Sequence, residues 1–183
     1  MPRKPVTTRE AMVDAAFDLV RREGHNALTV RALAAELGCS TQPIMYQFPA
    51  LAELRELVYQ RADAFHSEYI LAGGDILGIG LRYVQFAAKE PALFRFLFQS
   101  GHFDGANLQD LIGSPEIKPL LAALGAVSSG DPAAVAERFE VLYVAVHGYA
   151  SLIANNAMEF DAQAVEKTLN TLGAALLKDG DQS

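Results

Sequence analysis

The sequence predicts an all-α protein in which a small N-terminal helix-turn-helix unit of three helices precedes a larger helical body. Apolar residues recur at helical spacing along most of the chain. Hydroxyl or carboxyl residues stand just before several of these stretches, and glycine or proline follows them, as is typical of helix starts and stops. No run of β-branched residues alternates with a period of two, so no strand is expected.

The composition of the chain limits its class. With 183 residues and 51% apolar residues, it can bury a substantial core. The net charge is −7, yet residues 1–50 carry six basic and five acidic side chains, a net charge of +1, so the remainder of the chain carries −8. A small, slightly basic part beside an acidic body suits a protein whose N-terminal part approaches phosphates.

The expected compartment is the cytoplasm. The single cysteine, Cys39, excludes an internal disulfide and a cysteine-rich zinc site, which agrees with a reducing environment. The N-terminal residues lack the apolar run of a secretory signal. No uncharged apolar stretch is long enough to span a membrane, so no membrane partner is expected.

The first helix is predicted over residues 7–23. Thr7 and Glu10 have the spacing of a capping box, with Thr7 as N-cap and Glu10 as N3. Gly24 ends this helix.

Residues 28–48 read as two short helices around a tight turn, the unit that places one helix in the major groove of DNA. Thr29 is the expected N-cap of a helix from Val30 to Leu37, and Gly38 is expected to end it in the left-handed conformation. Ser40 is the expected cap of the second helix. The side chains that this second helix exposes are predicted to be Thr41, Gln42, Tyr46 and Gln47.

The three N-terminal helices are expected to share a core and to form one domain, residues 1–50. The residues predicted for that core are Phe17, Leu28, Leu33, Leu37, Ile44 and Phe48. The second domain, residues 51–183, is expected to begin inside the long helical pattern of residues 49–72, so that no flexible linker separates the two.

The second domain is predicted to be helical throughout. A helix from Asp131 to about Asn155 is apolar nearly all round, which predicts burial on more than one side. The other helices are predicted at residues 75–90, 92–99, 114–124 and from Asp161 to the region of Lys178.

No catalytic or cofactor motif is present. The chain lacks an HExxH pair, a glycine-rich phosphate loop after a strand and a nucleophile elbow. His147 has no second histidine at the spacing of a metal site, so it is expected to be a hydrogen-bonded residue of the core or an interface. An enzyme, a cofactor and a metal are therefore not expected.

The N-terminal motif resembles the DNA-binding domain of TetR/AcrR-type transcriptional regulators. The resemblance rests on residues 29–40, TVRALAAELGCS, with Phe48 and residues 53–54, Glu-Leu, after them. Residues 144–152, VAVHGYASL, are similar to the histidine-glycine helix of one TetR C-terminal subclass. The resemblance implies a homodimeric repressor that binds a palindromic operator in double-stranded DNA. It also implies a C-terminal body that dimerises and often holds a small effector.

The resemblance assigns DNA-contacting roles position by position. The residues expected to face base edges are Thr41, Gln42 and Tyr46. Those expected to hold phosphates are Thr29, Arg31, Ser40 and Gln47.

Two positions depart from the family pattern. Met45 stands where the family usually has a tyrosine, and Leu51 stands where it usually has a phosphate-binding lysine. Tyr46 is a candidate to replace the missing phenol. The departures leave open an alternative, an all-helical adaptor protein with degenerate DNA binding.

An aromatic group in the body is a candidate effector pocket, and plain core is the competing interpretation. A small apolar or aromatic effector would suit it. The residues assigned to this pocket are Tyr83, Phe86, Phe94, Phe98, His102, Phe103 and His147.

The apolar surplus of the last two helices predicts a four-helix dimer interface. The residues assigned to it are Phe139, Tyr143, Val146, Leu169, Leu172 and Leu176.

Overall fold

The computed structural model describes residues 8–101, 117–126 and 131–178, and it confirms the all-α prediction: the described residues contain helices and no strand. None of the described helices is both long and apolar enough to cross a membrane. The helices are α1 (Arg9–Glu23), α2 (Val30–Glu36), α3 (Thr41–Gln47), α4 (Leu51–Leu71), α5 (Ile76–Lys89), α6 (Pro91–Gln99), α7 (Lys118–Gly125), α8 (Pro132–Ala154) and α9 (Ala162–Lys178). A 3-10 turn, His25–Ala27, joins α1 to α2.

The start of α1 differs from the predicted capping box by one residue. Thr8 is the N-cap, and its hydroxyl oxygen accepts a hydrogen bond from the Ala11 amide at 3.2 Å. Glu10 therefore occupies the second helical position and cannot reach back as the partner of a capping box. Thr7 and Thr8 are both good N-cap residues, and the capping-box spacing to Glu10 wrongly predicted Thr7.

The turn between α2 and α3 follows the prediction for Gly38. This residue has φ +60°, a left-handed conformation that glycine adopts without steric cost. The Cys39 amide donates to the Ala34 carbonyl, and the Gly38 amide donates to the Ala35 carbonyl. This pair of bonds is a Schellman motif, which ends α2 and turns the chain into α3.

The described residues form two compact units. The first comprises residues 8–67 and 92–101, and the second comprises residues 68–91, 117–126 and 131–178. The predicted domain division between residues 50 and 51 stays a prediction. Both units take residues from α4.

The core of the first unit contains most of the residues predicted for it. Phe17, Leu28, Leu33, Ile44 and Phe48 are all buried. Leu37 is half-buried because it lies at the C-cap of α2.

From Ala92 onwards, helix α6 belongs to the first unit and adds aromatic contacts to it. The ring centroids of Phe96 and Tyr59 lie 5.8 Å apart in an edge-on arrangement. Phe98 makes a similar contact with His66 of α4 at 5.2 Å. The aromatic stretch of α6 therefore helps to hold α4 in place.

The second unit is organised around α5, which packs against α8 and α9. A Cβ atom added at Gly80 would lie only 3.2 Å from a methyl carbon of Leu169 and 4.0 Å from one of Val146. The missing side chain at Gly80 thus lets α5 approach both C-terminal helices closely.

Because the imidazole of His66 is buried, we expect acid to lower the free energy of unfolding. Burial lowers the pKa of His66 to about 4. In the unfolded chain His66 binds a proton below pH about 6.5, whereas in the folded protein it does so only below about pH 4. Between these values protonation favours the unfolded chain, so the stability that neutral His66 allows is fully present only above pH about 6.5. We expect the free energy of unfolding to lose about 3 kcal/mol from this residue as the pH falls from about 6.5 to about 4.

Urea unfolding at several pH values measures this effect. In His66→Gln the free energy of unfolding should change less between about pH 6.5 and 4, since glutamine does not titrate there. Equal slopes for wild type and His66→Gln would contradict the assignment.

Candidate nucleic-acid interface

Helix α3 turns one side to the core and the other to solvent. Ile44 is buried, whereas Gln42, Met45 and Tyr46 are exposed at spacings of three and four residues. The exposed fractions are 59% for Met45 and 83% for Tyr46. We call these three residues the recognition face.

Met45 joins this face although it was not assigned to bases from the sequence. Met45 and Tyr46 together place two large, exposed side chains next to Gln42 on this short helix. The spacing of Met45 from Gln42 was the available signal, since residues three apart share a helix face. Its apolar end suits contact with a thymine methyl group.

The predicted base residue Thr41 is only half-buried at the start of α3, next to Gln42. Gln42 is exposed, and its amide has the donor and acceptor that pair bidentately with adenine. The structure therefore brings the three predicted base residues to one helix, with Gln42 and Tyr46 freely accessible.

The predicted phosphate residues lie at the starts of α2 and α3. The hydroxyl oxygen of Thr29 accepts from the Ala32 amide at 3.1 Å, as the predicted N-cap should. The hydroxyl proton of Thr29 can still be donated to a phosphate oxygen. Arg31 is exposed in the first turn of α2.

Ser40 corrects an expectation about caps. It occupies the N-cap position of α3, but its side chain makes no capping hydrogen bond. The Ser40 side chain is exposed, so its hydroxyl remains able to donate to a phosphate oxygen.

Gln47, the fourth predicted phosphate residue, is half-buried at the end of α3. Its carbonyl oxygen accepts a hydrogen bond of 2.7 Å from the guanidinium of Arg9. The same guanidinium forms an ion pair with Glu53 and lies over the ring of Phe48. Sequence reasoning missed Arg9, because its partners lie 38 and 44 residues away along the chain.

The residues of the candidate effector pocket do not all fall in one unit. Tyr83, Phe86 and His147 belong to the second unit, whereas Phe94 and Phe98 belong to the first. His102 and Phe103 lie outside the described residues.

The pocket residues of the second unit form a polar pair inside an aromatic cluster. The Tyr83 hydroxyl and Nδ1 of His147 are 2.8 Å apart. Burial raises the pKa of Tyr83 and lowers that of His147, so both side chains are neutral near pH 7. His147 is thus hydrogen-bonded, as expected from the sequence, and the imidazole tautomer decides which of the two groups donates.

The aromatic cluster includes two residues that were assigned to the dimer interface. The ring of Tyr143 stacks on that of Phe139, with centroids 6.0 Å apart, and on that of His147, with centroids 5.6 Å apart. Burial also raises the pKa of the Tyr143 phenol.

An open cleft of about 540 Å³ lies in the second unit. Ala88, Pro91 and Ile153 line one part of it, and residues 156–160 line the rest. Of the described residues assigned to the effector pocket, none lines this cleft.

The predicted interface residues are largely covered by the chain itself. Phe139, Val146 and Leu169 are buried in the second unit, and Tyr143 and Leu172 are half-buried. The side chain of Leu176 lies outside the described part of the chain. A place for these residues in an interface stays a prediction.

The apolar residues that α8 leaves exposed are different ones. Val141, Val144 and Leu152 are each at least half exposed, and exposed Gly148 lies between the last two. Their spacings of three, four and four residues place them on one side of the helix. We call this surface the α8 ridge. Helix α8 was expected to be buried on more than one side, but within one chain this side of it stays exposed.

One family model and two solved structures are similar to this chain. Residues 76–176 match a family model described as the tetracyclin repressor-like, C-terminal domain. A TetR-like transcriptional regulator from Rhodococcus sp. RHA1 is 19% identical, with a TM-score of 0.65 and coverage of 92% of this chain and 94% of that one. A TetR-family transcriptional regulator from Streptomyces coelicolor is 18% identical, with a TM-score of 0.69 and coverage of 94% and 81%. These two likenesses are evidence for a common fold. No curated protein matches the chain in sequence.

Proposed function

The chain belongs to the TetR family of transcriptional regulators, and from that premise we propose that it is a dimeric repressor. In this proposal it binds a palindromic operator and leaves the DNA when a small apolar or aromatic effector binds. The recognition face is the observation that carries the proposal, because it presents an amide, a thioether and a phenol on one exposed side of a short helix.

Base recognition is assigned to α3. Gln42 would pair with an adenine, and Met45 and Tyr46 would make apolar or polar contacts with neighbouring base edges. Thr41, at the start of the helix, would contact the same groove.

The phosphate contacts are assigned to Thr29, Arg31, Ser40 and Gln47. They set the register of α3 in the groove without choosing the sequence. Leu51 supplies no cation at the position where the family usually has lysine, so the salt dependence of binding should be shallower by about one counterion per half-site.

The dimer is assigned to the C-terminal helices, with the α8 ridge as its apolar surface. A two-fold dimer would present two copies of α3 to half-sites roughly 34–36 Å apart, one turn of DNA. An effector near Tyr83 and His147 would then act by changing that spacing.

Selection of bound fragments from the genome of the host tests the proposal. We expect enrichment of a palindrome and a gel shift with it at low salt. No shift with any fragment would refute DNA binding and favour the adaptor alternative. A selected site without two-fold symmetry would refute the dimeric mode of reading.

Two substitutions should separate phosphate contacts from base contacts. Arg31→Ala is expected to weaken binding to all sequences alike and to reduce the salt slope by about one per half-site. Gln42→Ala is expected to relax the preference at one base pair by about 1–3 kcal/mol, with the salt slope unchanged. Fluorescence anisotropy on the operator and its single-base variants measures both. A uniform loss for Gln42→Ala would show that Gln42 does not read a base.

A further inference from the structure

We propose that Arg9 is a positioning residue, which holds the C-terminal end of the recognition helix α3 against α1 and α4. This inference rests on the proposed DNA binding and adds a residue that contacts no base. Its role is to hold the angle at which the recognition face meets the groove.

Three contacts join Arg9 to the end of α3 and the start of α4. One terminal nitrogen donates to the Gln47 carbonyl oxygen at 2.7 Å, and the other pairs with the Glu53 carboxylate. The central guanidinium carbon lies 4.2 Å from the centroid of the Phe48 ring, which follows α3 directly. A single side chain of α1 thus contacts the last residue of α3, its C-cap and the first turn of α4.

Helix α3 needs such support more than the longer helices do. It has seven residues, about two turns, and helices of that length are not stable alone in water. Gln47 is its last residue, so the carbonyl oxygen of Gln47 lacks an intrahelical partner. A cation at this end also interacts favourably with the helix dipole.

Arginine has the geometry for this task, and lysine does not. The planar guanidinium holds two acceptors in fixed directions while its face stacks on an aromatic ring. A lysine ammonium is a compact charge on a flexible stem, so it cannot keep all three contacts together.

The recognition face lies within five residues of the bonded carbonyl, from Gln42 to Tyr46. A shift at the end of so short a helix therefore moves the base-reading side chains directly. Loss of Arg9 should reduce binding to the operator while leaving the phosphate contacts of α2 in place.

The test compares Arg9→Met with Arg61→Met in the full-length protein. Arg61 makes the same kinds of contact, an ion pair of 2.8 Å with Asp14 and a position 5.3 Å from the centroid of the Phe17 ring. These contacts join α1 to α4, so Arg61→Met controls for the general loss of a charge and a ring contact in this unit. Binding is measured below the melting temperature of every variant.

For Arg9→Met we expect operator affinity to fall about tenfold, with a smaller loss for random DNA, because α3 also carries the phosphate residues Ser40 and Gln47. The salt slope should be unchanged, since neither of these residues is a cation. Arg9→Lys should recover part of the loss, because it keeps the charge and one of the bonds. Arg61→Met should bind the operator as wild type does. The inference is overturned if Arg9→Met binds within twofold of wild type, if it loses no more affinity than Arg61→Met, or if its salt slope falls as for a phosphate contact.

Amide hydrogen exchange of the free protein tests the positioning role without DNA. The Phe48 amide donates to the Ile44 carbonyl at 2.8 Å in the last turn of α3. It should exchange faster in Arg9→Met and unchanged in Arg61→Met. If the wild type binds no DNA, the proposed function is wrong, but faster exchange in Arg9→Met would still show that Arg9 holds the end of α3. Unchanged exchange in Arg9→Met would overturn the positioning role itself.

Discussion

Replacing Val144 by aspartate is expected to convert the proposed dimer to a monomer and to weaken operator binding on the order of 100-fold or more. Val144 is 55% exposed and lies between Val141 and Leu152 on the α8 ridge. In a two-fold interface the substitution places a carboxylate on the same apolar patch of both protomers. Two buried charges of one sign, without partners, are strongly unfavourable. In the proposed dimer each protomer reads one half-site, so the monomer would also lose the gain from binding two linked sites.

Light scattering and anisotropy measure the two parts of this result. The mass should halve, and affinity for an isolated half-site should stay close to that of the wild-type protomer. Leu71→Asp is the matched control, since Leu71 is an exposed apolar residue of α4 outside the ridge. A Val144→Asp protein that stays dimeric at micromolar concentration would show that the ridge is not the interface.

Replacing Phe86 by alanine is expected to lower the free energy of unfolding by about 3–5 kcal/mol. The Phe86 side chain is fully buried in α5, and its ring lies 5.6 Å from that of Tyr69. Truncation would remove apolar contacts and leave a space that the packed helices cannot fill. Phe86 would then act as core, and the effector would have to contact other members of the aromatic group.

Urea unfolding compares Phe86→Ala with Phe86→Leu, which should cost less because it retains most of the side-chain volume. A loss under about 1 kcal/mol for Phe86→Ala would contradict the core assignment, since a cavity wall gives up few contacts. That result would restore Phe86 to the candidate effector pocket.

The candidate site could be predicted in part. Gln42 and Tyr46 are exposed on α3 as expected, because the positions of Ile44 and Phe48 define the buried side of so short a helix. Met45 could have been found by the same argument. The contacts of Arg9 could not, because they depend on where α1, α3 and α4 meet, and residue spacing carries no such information.

The sequence by itself determined the helical class, the turn at Gly38 and most helix ends. These features depend on neighbours within about five residues: a capping side chain, a left-handed glycine, or apolar groups at helical spacing. Membership of the TetR family is also visible in local motifs.

Only the tertiary structure decided which apolar residues of the second unit are buried and which are exposed. Helix α8 has apolar residues nearly all round, so its pattern cannot mark which side meets α5. The structure buries Phe139 and Val146, and leaves Val141, Val144 and Leu152 exposed. The reason is physical: burial depends on which surfaces approach in space, and here Gly80 of α5 sets that approach.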